Sequence, residues 1–75
     1  MNKNVTIKYK AFSIEICSYQ LVASKKWRPK VILQEDRQNE VIETPLLWDK
    51  EFETKKEADK FTMAQSRMFI DRKSI

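Results

Sequence analysis

The chain has 75 residues, a net charge of +4, a single cysteine, and neither histidine nor glycine. Those absences exclude a disulfide-stapled secreted fold, a structural zinc site, histidine acid–base chemistry and a glycine-rich phosphate loop. No window of about 18 apolar residues is present to span a membrane, and charges interrupt the N-terminus too early for a signal-peptide core, so a reduced cytoplasmic setting is expected.

Alternation begins at Val5. Val5, Ile7 and Tyr9 fall on one side, with Thr6, Lys8 and Lys10 on the other. Phe12, Ile14 and Ile16 then form an apolar set in the opposite phase, with Ser13, Glu15 and Cys17 across from them. A one-residue slip exchanges the faces of a strand, which predicts a bulge or kink near Lys10-Ala11. The firm strand runs from Phe12 to about Tyr19, and residues 1–10 are a candidate short extra strand.

Gln20 to Lys26 reads as a connection, and Trp27 to Glu35 as the second strand. Pro29 cannot donate to a ladder, so it belongs near the strand start or with its nitrogen off an edge. Asp36-Arg37-Gln38-Asn39 is a turn, and without glycine Asn39 is the natural left-handed residue. Glu40 to Leu47 is the third strand, and Trp48 to Glu51 leaves the sheet.

Thr54-Lys55-Lys56-Glu57 is a capping box, in which the Thr54 hydroxyl accepts from the Glu57 N–H and the Glu57 carboxylate reaches back. A helix from Lys55 to Arg72 puts Ala58, Phe61, Ala64, Gln65, Met68 and Phe69 on one stripe. Met63 and Ile70 fall on roughly the opposite side, flanked by Lys56 and Arg67, and read either as scattered exposed apolar residues or as a partner or dimer contact. The expected fold is α+β: a single β-β-β-α domain over residues 1–75, with a three-stranded antiparallel sheet covered by one C-terminal helix in two layers.

Catalytic equipment is missing. Each serine lacks a histidine to activate it, and Cys17 reads as a packing residue. The carboxylate pairs Glu35-Asp36 and Asp49/Glu51 fall in turns without metal-loop spacing. The chain is therefore expected to be no enzyme and to need no metal and no cofactor.

Charge is segregated along the chain. Residues 1–30 carry seven basic side chains against one acidic, residues 31–59 four against nine, and residues 60–75 four against one. These segments either pair with one another or attract a charged partner. Two binding readings follow. A protein partner or self-association, through Lys56, Met63, Arg67 and Ile70, comes first. The alternative is nucleic-acid binding by a basic sheet face of Lys8, Lys10, Arg28 and Lys30, with Trp27 as an aromatic platform. Trp27 and Trp48 serve that role if exposed and the core if buried. Glu15, Glu40 and Glu43 are the candidate cross-strand partners that would neutralise such a face.

Two resemblances add to this. Lys26-Trp27-x-x-x-Val31, followed by Phe52-x-Thr54-Lys55-Lys56-Glu57-Ala58, resembles the arm-type DNA-binding domain of phage-type tyrosine recombinases. That family has a three-stranded sheet and one helix, and its sheet enters the major groove. The chain departs from it in having no glycine in the hairpin turn and no recombinase catalytic domain. More of the chain is covered by Tyr9-Lys10-x-Phe12-x-Ile14, Trp27-Arg28-Pro29-Lys30-Val31, Phe52-x-Thr54-x-x-Glu57-Ala58 and Ile70-Asp71. These resemble small stand-alone bacterial β-β-β-α proteins of uncharacterised function. That resemblance implies the fold and no activity.

Overall fold

A computed structural model describes residues 5–73. Its elements in chain order are β1 (Val5–Tyr9), β2 (Phe12–Ile16), β3 (Tyr19–Gln20), β4 (Trp27–Arg28), β5 (Lys30–Arg37), β6 (Glu40–Leu47) and α1 (Lys55–Lys73). The architecture is α+β, with one C-terminal helix on an antiparallel sheet. The main sheet has four strands in the order β1-β2-β5-β6, and β3 and β4 form a two-stranded extension.

The phase slip at Lys10-Ala11 is a hairpin turn and not a bulge. Tyr9 pairs with Phe12, Ile7 with Ile14 and Val5 with Ile16. A two-residue turn places residues three apart opposite each other on one face. An apolar set ending at Tyr9 and resuming at Phe12 therefore stays on the same side of the sheet. This makes residues 5–9 a full edge strand.

Pro29 explains the split of the second expected strand. Ile16 pairs with Val31, and Tyr19 with Arg28 in the same register. Cys17 N–H donates to Lys30 O at 2.9 Å. Thus β2/β3 and β4/β5 are one long hairpin, interrupted where buried Pro29 offers no N–H. The far end is tied down by Trp27, whose N–H donates to Phe52 O at 2.7 Å and whose carbonyl accepts from Phe52 N–H at 2.8 Å.

With no glycine available, Lys10, Lys25 and Gln38 take positive φ values of 55°, 62° and 39°. The left-handed residue of the β5–β6 turn is therefore Gln38 rather than Asn39. A side chain in that region costs about 1–2 kcal/mol, partly offset in any glycine variant by the greater entropy of its unfolded chain. Gln38→Gly is expected to raise stability by about 0.5–1 kcal/mol in urea denaturation. A lower midpoint would contradict this backbone assignment.

The core lies between one face of the sheet and the helix. Phe12, Ile14, Ile16, Val31, Leu33 and Ile70 form it, with Ile7, Tyr9, Leu46, Trp48, Met63 and Phe69 packed around it. The helix start follows the sequence: Glu57 N–H donates to Thr54 Oγ1 at 3.2 Å. The Glu57 carboxylate accepts from the Thr54 hydroxyl at 3.0 Å.

The helix is turned relative to the expected stripe. Ala58, Thr62, Ser66 and Ile70 face the sheet and are buried, whereas Ala64 and Met68 are exposed. Small side chains at 58, 62 and 66 let the helix approach closely. Thr62 satisfies its hydroxyl by donating to Ala58 O at 2.8 Å.

Candidate binding surfaces around the helix

Rotation of the helix leaves larger apolar residues on its flank. Gln65, Met68, Phe69 and Arg72 form one wall of an open cleft of about 240 Å³, and Leu46, Leu47 and Trp48 of β6 and its exit form the other. Phe61, one turn before Gln65, packs its ring 5.6 Å from Trp48 in an edge-on contact and 5.3 Å from Phe52. Met68 is 47% exposed and Leu47 61%. Among the described residues β6 has only β5 beside it in the main sheet, so its other side is an open edge there, and Leu46 and Leu47 at its end line the cleft. Trp48 is thus neither wholly core nor a free platform; it is the half-buried floor of the cleft.

The expected partner strip comes apart. Ile70 is completely buried, and Met63 is half-buried against the core. Lys56 and Arg67 stay exposed. Residues seven apart on a helix drift by about 20°, and the sheet contact lies close enough to this strip to take its apolar members inward. No exposed apolar contact remains there.

The expected basic sheet face does not assemble either. On the face away from the helix, cross-strand register builds the rows Lys8–Ser13–Gln34–Glu43 and Thr6–Glu15–Ile32–Pro45. Charge therefore changes sign across the sheet instead of continuing as a basic surface. Glu43 is held by a neutral partner, accepting from Gln34 Nε2 at 2.8 Å. Lys30 pairs with Leu47 across the ladder.

Arg28 is held among carboxylates, its Nη2 3.2 Å from Glu51 Oε2 and 3.6 Å from Asp49 Oδ1. A hydrogen bond with Tyr19, and then the charges of Tyr19, Asp49 and Glu51, hold the guanidinium pKa above its ordinary value. Trp27 is half-buried, with its main chain bridged to Phe52.

Lys10 sits at the far end of the molecule, 2.6 Å from Asp71 on the last turn of the helix. The Tyr9 hydroxyl donates to the same carboxylate at 3.0 Å. Asp71 consequently titrates below the usual carboxylate range, chiefly through the Lys10 hydrogen bond and then that from Tyr9.

Cys17 is half-buried, and burial first of all pushes its thiol pKa up, which disfavours the thiolate. Among the described residues no group of three or more histidines, cysteines or acids could hold a metal ion. No helix there is long and apolar enough to cross a membrane. No protein family, curated protein or solved structure matches the chain.

The cleft was hidden from sequence reasoning because its walls come from residues about twenty apart. One signal did exist: Phe61, Gln65, Met68 and Phe69 were already grouped on one stripe. That stripe belongs to the cleft flank and not to the sheet contact.

Proposed function

We propose that the chain is a non-catalytic protein-binding module that takes an extended segment of a partner along β6, with the segment's apolar side chains seated in the adjoining cleft. The observation that carries this reading is the open edge of β6 lying directly beside Leu46, Trp48, Met68 and Phe69. Strand addition draws affinity from unpaired main-chain groups and specificity from pockets for alternate side chains. An exposed apolar surface rimmed by polar groups is the usual mark of such contacts.

Charge favours a different protein over a second copy. β6 carries Glu40 and Glu43 and no cation, so pairing it with another β6 brings four glutamates into one ribbon. A segment with lysine or arginine opposite Glu43 and apolar residues at alternate positions complements this edge.

The test uses the whole chain and a synthetic octapeptide alternating lysine with leucine, titrated by two-dimensional amide NMR. Shifts confined to 41–48 and 65–72, and abolished in Met68→Glu, are expected. Absence of shifts at millimolar peptide, or unchanged shifts in that variant, would overturn the reading. Concentration-dependent broadening of β6 without peptide would assign the edge to a second copy.

A further inference from the structure

The two flanks of the helix differ in kind. The flank toward β6 is apolar. The opposite flank, toward β1, carries Lys56, Lys60 and Arg67, all exposed. Eleven residues make close to three full turns, so Lys56 and Arg67 lie on one line about 16 Å apart, with Lys60 between them. None of the three has an ion-pair partner among the described residues.

Arg67 is further fixed against β1, its guanidinium 6.0 Å from the Tyr9 ring centre. The helix carboxylates within a turn of these cations already have other partners: Asp71 accepts from Lys10 and Tyr9, Asp59 from Lys55, and Glu57 from the Thr54 hydroxyl. Meanwhile Glu40 and Glu43 lie on β6, at the opposite edge of the sheet from β1.

We propose that this flank binds the phosphate backbone of a nucleic acid without reading its sequence. Three cations along a line suit a row of phosphates, each neutralised phosphate releasing condensed counterions. The apolar members of the same line argue against the other polyanionic surfaces. A protein interface is anchored by buried apolar or aromatic groups, and an interfacial helix needs an apolar face to insert. Here Met63 and Ile70 turn into the core, leaving a polar flank. Tyr9, the ring beside Arg67, is likewise partly buried against the core, and its hydroxyl is held by Asp71.

This site is independent of the cleft and lies on the other side of the same helix. A nucleic acid and a protein segment can therefore occupy the chain together, which makes it a connector between them. Failure of either site leaves the other reading standing.

The test is fluorescence anisotropy of the intact chain with a labelled 20-base-pair duplex. Three neutralised phosphates predict roughly a 40-fold loss of affinity between 50 and 200 mM salt. The variant Lys56→Glu/Lys60→Glu/Arg67→Glu is expected to lose at least tenfold at 50 mM salt. Should it melt early, the glutamine version of the same triple variant replaces it. The control Lys25→Glu/Lys30→Glu/Lys50→Glu makes the same change in net charge elsewhere and should stay within about threefold. Duplexes of different sequence should bind alike. No binding at 50 mM salt, equal losses in the two variants, or tighter binding to phosphatidylserine vesicles or polyglutamate than to duplex would each overturn the proposal.

Discussion

Ile70→Lys is expected to unfold the chain at 25 °C, whereas Met68→Lys should fold with a stability change within about 0.5–1 kcal/mol. The two positions lie two residues apart on one helix, and a stripe centred on Met68 would predict the reverse. Ile70 is 0% exposed and belongs to the core cluster. Lysine there forfeits about 2–3 kcal/mol of side-chain burial and adds several more for an unpaired ammonium in an apolar site. A small domain has roughly that much stability in total. At Met68 a lysine can keep its stem on the cleft wall and its charge in water. Circular dichroism and a thermal melt decide between them. A folded Ile70→Lys chain with an unfolded Met68→Lys chain would mean that the helix is rotated from the position described.

Ile14→Ala should cost about 3–4 kcal/mol, against less than about 0.5 kcal/mol for Val41→Ala. Ile14 lies directly between Ile7 on β1 and Leu33 on β5. It is completely buried at the centre of the sheet and under the helix. Its removal takes away transfer energy and leaves a cavity that neither neighbouring strand can fill without breaking register. Val41 is 59% exposed on the edge strand, where water replaces the lost methyls. Urea midpoints measure both. Equal losses would show that β6, and not β2, occupies the middle of the sheet.

Local chemistry was legible and long-range pairing was not. The Thr54 cap and the β6 span follow from neighbouring residues and stand as read, and the helix runs one residue past the expected Arg72. At Lys10-Ala11 the phase change was real, but alternation alone does not distinguish a bulge from a two-residue turn. Pairing across the turn supplies the difference. The helix misled for a different reason. Thr62 and Ser66 occupy its inward line because a close helix–sheet approach needs small side chains, and a hydrophobicity pattern assigns such residues outward. Once they are placed inside, Phe61 and Met68 must fall on the flank.

Cations behaved in the same way. Lys8, Lys10, Arg28 and Lys30 are all basic in sequence, but folding carries Lys10 to Asp71 and Arg28 to Glu51. Carboxylates distant in sequence thereby claim two members of the expected patch. The unclaimed line on the helix is visible in sequence as basic residues at positions 56, 60 and 67. Lys56 and Arg67 were legible beside Met63 and Ile70 as the rim of an apolar contact, and only the inward turn of those two leaves a purely basic line.

Strand addition requires β6 to be an open edge beside the cleft. Amide hydrogen exchange in the free chain, at a concentration where it is monomeric, tests this directly. β2, and β5 over Val31–Glu35, are paired on both sides and should be protected there. β6 should alternate, with amides bonded to β5 protected and those facing outward exchanging near the rate of unstructured chain. Uniform protection along β6 would show that something already covers the edge, and would contradict the account.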